Sequence, residues 1–118
     1  MSYDISLCDP VTHETLLVDH PHQIRGGTYA VNGTQEAWLN VTYNYGLHFR
    51  RVLGEKGIRT IYGMTGAESI PVLKAAADQL KDDVSEDYWE PTEGNAKRAL
   101  FGLIALAQLR PDGVWEGD

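Results

Sequence analysis

The stretch 92–109 constrains this chain more than any other. Ala96, Ala99, Leu100, Leu103, Ile104, Leu106 and Ala107 recur there at helical spacing and cover more than half the circumference of the helix they predict. A helix with so wide an apolar surface has to be enclosed on several sides, so it predicts a central element around which the rest must pack. Its limits are marked in the sequence. Thr92 is an N-cap residue with Pro91 before it and Glu93 in the positively polarised first turn, and Pro111 follows soon after Leu109. Val114 and Trp115 then form a short apolar tail able to fold back onto the domain.

The first third of the chain reads as strands. Tyr3, Ile5 and Leu7 alternate with Asp4, Ser6 and Cys8, the period of two expected of a half-buried strand. Asp9-Pro10 breaks the run, and residues 14–18 are expected to return as its antiparallel partner. Residues 28–31 read as another strand, followed by the hairpin dipeptide Asn32-Gly33 and a partner strand at 36–41, in which Trp38 is expected to face the core.

Helical spacing takes over further on. Tyr45, Phe49, Val52 and Leu53 predict a helix over 43–53, with Asn40 or Thr42 as its cap and Gly54 as its stop. The middle helix has two competing starts. Thr65-Gly66-Ala67-Glu68 matches a capping box, but a helix begun there holds Pro71 in its interior, at a cost of about 3 kcal/mol. A start at Ser69 places Pro71 in the first turn, where no amide bond is forfeited, and this start is the one expected. Its core stripe is then Ile70, Leu73, Ala77 and Leu80. The predicted fold is α+β: a small antiparallel sheet of three or four N-terminal strands against about three C-terminal helices. A chain of 118 residues makes this one domain, 1–118.

Charge narrows the function. Ten Lys and Arg against seventeen Asp and Glu leave a net charge of −7. Such a body repels phosphates, so general nucleic-acid binding is not expected. The charges are uneven, with six acids and no Lys or Arg over 82–93. Arg50, Arg51, Lys56 and Arg59 stand against Glu55 alone over 50–59, which predicts a local cationic patch. Cys8 is the one cysteine, so no intrachain disulfide forms. No apolar run is long enough for a membrane span and the start of the chain is polar, so a cytoplasmic location is expected, with no membrane partner.

No catalytic or cofactor motif stands out. His20-Pro21-His22 beside Asp19 resembles part of a metal-ligand cluster, but no third ligand and no metal-site spacing accompany it, so neither metal nor cofactor is expected. Cys8 near His13 or His48 would be needed for an activated thiolate, and Glu68 or His48 for a hydrolytic base; nothing in the spacing pairs them. No catalytic residue is therefore assigned.

Two stretches suggest binding. Arg25-Gly26-Gly27 sets two glycines ahead of a strand, where backbone amides can converge on an anion. The glycine-punctuated segment 57–69 runs into a helix N-terminus carrying Arg59, Thr65, Gly66 and Ser69, where free amides favour negative charge. With Tyr43 or Tyr62 to stack, these residues predict a site for a small anionic, nucleotide-like ligand. A different reading places Glu86, Asp87, Tyr88 and Trp89 of the acidic segment on a basic partner protein, with the two rings partly exposed as anchors.

The segments 26–29, 36–45, 57–71, 92–95 and 111–118 resemble a family of small accessory proteins of phages and prophages, a likeness that spans nearly the whole chain. No activity comes with that family, so no residue role is carried over. The resemblance implies a setting: such proteins often act by binding a host component, frequently one of antiviral defence. The expected function is therefore non-enzymatic sequestration of a small anionic ligand or, as the alternative, inhibition of a host protein. The sequence leaves homo-oligomerisation open.

Overall fold

The computed structural model describes residues 1–22 and 33–118. The alternating segment forms β1, Ser2–Cys8, and buries Tyr3, Ile5 and Leu7 on one face. It is the middle strand of an antiparallel sheet, flanked by β4, Trp38–Thr42, and by β5, Val114–Gly117. A second sheet pairs β2, Leu17–His22, with β3, Thr34–Glu36.

The expected return of 14–18 along β1 occurs over two residues only. The Asp9 carboxylate accepts the Val11 and Thr12 amides at 2.8 and 3.0 Å, which shapes the reversal, and Leu16 N–H then donates to Leu7 O at 2.8 Å. β4 already occupies that edge along residues 2–6, so the returning chain finds only Leu7 and Cys8 and departs into β2. The strand expected at 36–41 is divided at buried Ala37 into the end of β3 and most of β4. Residues 28–31 and Asn32 lie outside the described residues. Gly33 has φ +83°, the left-handed region that its turn dipeptide predicts.

Trp38 is not a core residue, contrary to expectation. Its register opposite Ser6 sets it on the polar face of the sheet, where its indole N–H donates to the Asp4 carboxylate at 3.3 Å. The core tryptophan is Trp115 of β5, fully buried opposite Leu7.

Three helices cover the apolar face. A 3₁₀ turn, Tyr43–Tyr45, leads into α1, Gly46–Leu53; the Thr42 hydroxyl accepts the Asn44 amide at 3.2 Å, and Gly54 at φ +99° ends the helix. Residues 57–61 of the glycine-punctuated segment form a second 3₁₀ turn that buries Ile58 and Ile61. α3, Glu93–Leu109, begins as predicted, with the Thr92 hydroxyl accepting the Asn95 amide at 3.0 Å, and it buries every position of its apolar stripe.

α2 spans Gly66–Asp78, not a helix capped by Ser69. The capping box forms in full: Thr65 Oγ1 accepts the Glu68 amide at 3.1 Å, and the Glu68 carboxylate accepts the Thr65 amide at 2.9 Å. Pro71 is tolerated inside because Ala67 and Pro71 both face solvent, so water can reach the carbonyl left without a partner.

Those bonds hold the Glu68 carboxyl below the usual carboxylate range, the Thr65 amide contributing most. A carboxyl whose folded pKa is depressed stabilises the fold above its unfolded value and loses that contribution as pH falls through the folded value. Thermal stability is accordingly expected to decline on acidification below the usual carboxylate range. Glu68→Gln, which keeps an acceptor but no charge, should show a shallower decline in a pH series of melting curves. An identical slope would remove Glu68 from that account.

Candidate functional site

The predicted anion site at the mouth of α2 is closed. Gly66 N–H donates to Gly113 O at 2.8 Å and Ala67 N–H to Pro111 O at 3.1 Å, while the Glu68 amide is held by Thr65. Upstream, Gly63 N–H donates to Trp115 O and Trp115 N–H to Met64 O, both at 2.9 Å. The segment before α2 is thus zipped along residues 113–115, which lie where a ligand was expected. A Cβ at Gly66 would stand 2.7 Å from Arg110 O, so this glycine serves close backbone packing. Ser69 is fully buried; its hydroxyl donates to Gly66 O at 2.8 Å and accepts the Trp115 indole N–H at 2.7 Å. Thr65, Gly66 and Ser69 are therefore corrected from ligand contacts to structural ones. Arg25, Gly26 and Gly27 lie outside the described residues.

Arg59, Tyr43 and Tyr62 do converge, at the far end of β5 from that helix mouth. Arg59 Nε donates to the Asp118 main-chain oxygen at 2.8 Å, and the guanidinium lies over the Tyr3 and Tyr43 rings at 5.1 and 5.8 Å from their centroids. The Tyr62 hydroxyl donates to the same Asp118 oxygen at 3.4 Å, and burial above all pushes its pKa up to about 12, with Asp118 adding to the shift.

The acidic segment 82–93 is largely exposed, yet five of its six carboxylates are engaged. Asp82 pairs with Lys97 at 2.9 Å, and Glu93 with Arg51 at 2.9 Å. Asp83 accepts the Gly94 amide at 3.1 Å, Asp87 the Trp89 amide at 3.0 Å, and Glu90 the Ser85 hydroxyl at 2.6 Å. Asn95, buried in the first turns of α3, ties the segment together. Its side-chain oxygen accepts the Ser85 amide at 3.0 Å, and its amide group donates to Asp87 O and Glu90 O at 3.0 and 2.9 Å. On the other side, Asn44 of the 3₁₀ turn donates to Trp89 O and His48 of α1 to Pro91 O, both at 2.8 Å.

Tyr88 is buried, which corrects its expected role as a partly exposed anchor. Its hydroxyl accepts the Thr42 amide at 2.9 Å and donates to Asn40 O at 3.4 Å, so it caps the outer edge of β4, and its own carbonyl accepts from the Tyr45 hydroxyl. Asp87 stays exposed, its carboxylate accepting the Trp89 amide. Trp89 stays half-exposed, and Glu86 alone of the six acids makes no hydrogen bond or ion pair among the described residues.

Held in this way, 85–88 forms one wall of a groove of about 390 Å³ along α3. Ala99, Gly102 and Ala105 share one face of α3 with Asn95 and Arg98, and their small side chains leave the floor open. Tyr45 and Tyr88 back the groove, while Glu86, Arg98 and half-exposed Phe101 border it. Sequence reasoning missed Arg98, Phe101 and the floor. The available signal was the spacing of small residues on one face of an otherwise leucine-rich helix.

The residues considered for chemistry are engaged elsewhere. Glu68 closes the capping box, His48 Nε2 serves Pro91 O, and His13 Nδ1 pairs with Glu116 at 2.9 Å. Burial pushes the Cys8 thiol up, and the Glu116 carboxylate adds to it, the opposite of an activated thiolate. His22 Nε2 bonds to Glu36 O at 2.6 Å. Among the described residues no group of three or more His, Cys, Asp or Glu side chains is placed to hold a metal ion, and no helix is long and apolar enough to cross a membrane. No family model, curated protein or solved structure matches the chain.

Proposed function

We propose that the protein is a non-enzymatic binding protein that docks a basic, partly apolar segment of a host protein in the groove between 85–88 and α3. The observation that carries this reading is the state of the groove's polar lining. The Ser85, Asn95, Tyr45 and Tyr88 side chains spend hydrogen bonds on fixing the wall, whereas Glu86 and Arg98 make none among the described residues. An apolar floor bordered by a carboxylate and a guanidinium offers burial for an apolar side chain and pairing for charged neighbours. The net charge of −7 favours a cationic partner during encounter. A wall held in place before binding reduces the ordering cost of association. Inhibition of a host factor in the bacterial cytoplasm, the setting implied by the likeness to phage accessory proteins, is the biological role this reading supports.

The test is selection from a random peptide library against the folded protein. Enriched peptides are expected to place Lys or Arg beside an apolar residue, to bind more weakly as salt rises, and to lose most binding to Glu86→Lys and to the groove-filling Ala105→Phe. Peptides that bind both variants as well as the parent would overturn the proposal.

A further inference from the structure

We infer that Arg50 and Arg59, set against Tyr3 and Tyr43, form a second binding site, for the phosphate group of a small phosphate ester. The inference does not rest on the groove. Arg59 commits its Nε to the Asp118 main-chain oxygen at 2.8 Å, and Tyr43 Oη stands 3.5 Å from one terminal nitrogen. Stacking over two rings holds its plane, so the terminal N–H groups are presented in a fixed fork that suits an oxyanion.

Arg50 supplies the second charge. Its side chain lies across two glycines. A Cβ at Gly57 would meet Arg50 Cγ at 3.3 Å, and one at Gly46 would meet Arg50 Nη1 at 3.0 Å and Tyr3 Oη at 3.1 Å. The Arg50 guanidinium and the Tyr3 hydroxyl are therefore neighbours above Gly46, and the Tyr3 ring lies beneath Arg59. The Arg50 side chain makes no hydrogen bond or ion pair among the described residues, and neither arginine pairs with a side-chain carboxylate there. Two neighbouring guanidinium groups without a side-chain carboxylate partner among the described residues are unexpected company on a molecule of charge −7. They match a dianion with several acceptor oxygens better than a single carboxylate, and the tyrosine hydroxyls add neutral donors.

The test uses three probes and two variants, followed by amide chemical shifts. Inorganic phosphate and adenosine monophosphate should each move the Gly46, Gly57 and Arg59 resonances saturably at millimolar concentration, and adenosine should leave them in place. If the monophosphate binds at least as well as inorganic phosphate, the ester is accommodated; if it fails where phosphate succeeds, the ester assignment is overturned. Arg50→Ala is expected to weaken binding at least about tenfold, in keeping with loss of a charge-assisted bond. Gly46→Ala, which keeps the arginine but displaces its tip, should weaken binding while the melting temperature stays near that of the parent. No response to phosphate or its ester, an equal response to adenosine, or binding unchanged in Arg50→Ala would each overturn the site.

Discussion

Trp115→Ala is expected to remove about 3–5 kcal/mol of folding stability, the range for truncating a large buried aromatic side chain. For a domain whose total stability lies at roughly 5–15 kcal/mol, that is a large fraction. The indole is fully buried opposite Leu7, and its N–H donates to Ser69 Oγ at 2.7 Å, so truncation leaves both a cavity and a buried hydroxyl short of one partner. The consequence reaches α2, because β5 also supplies the carbonyl of Trp115 to Gly63, and the residue before the strand, Gly113, supplies one to Gly66. Trp115→Phe, which retains most of the volume, should cost much less. Denaturant unfolding monitored by far-ultraviolet circular dichroism checks both. A loss below about 1 kcal/mol for Trp115→Ala, the size expected of a surface change, would contradict the packing of β5 as the third strand.

Gly94→Ala is the second large effect, and it reports on the groove. Alanine is the better helix former by about 1 kcal/mol, so propensity alone predicts a gain. Packing predicts the reverse. A Cβ at Gly94 would stand 2.5 Å from Val84 N, 2.6 Å from Asp83 C and 2.9 Å from Asp82 C, all backbone atoms without a rotamer to yield. The 82–84 backbone has to lift, and the Asp83 cap on the Gly94 amide goes with it. Overpacking of this kind costs roughly 1–3 kcal/mol, which exceeds the propensity gain over most of that range. Beyond a lower unfolding midpoint, the variant should lose affinity for any peptide selected on the groove. A more stable Gly94→Ala protein would mean that 82–84 does not press on α3.

The elements legible in the sequence were those set by near neighbours. α3 carried its cap, its stripe and its stop within one stretch, and β1 announced itself by alternation alone. Thr42 lay among the residues expected to cap the first helix, and its hydroxyl does so for the 3₁₀ turn that leads into it. The sheet order was not legible, because β5 pairs with a strand from the opposite end of the chain and nothing local indicates which edge it takes. That same pairing is why the mouth of α2, expected as part of the anion site, is closed. The amides of Gly66 and Ala67 looked available from their own segment, and only the fold brings the carbonyls of Gly113 and Pro111 to them. Pro71 argued against the capping box, but solvent on that side of α2 made its cost tolerable. How the acidic run is held was not legible, because its partners, Lys97, Arg51, Asn44, His48 and Asn95, lie on three different elements.

The central claim is that 82–93 stands as a fixed wall before any partner arrives. Amide hydrogen exchange of the unliganded protein tests it most directly, since Ser85 and Gly94 donate to side chains of the joined pieces and Thr42 donates to Tyr88. The account predicts that these three amides exchange far more slowly than in an unstructured peptide and that Gly94→Ala releases the amides of Ser85 and of position 94 while Leu103 stays protected. Exchange of Ser85 and Gly94 at unstructured rates in the parent protein would contradict it.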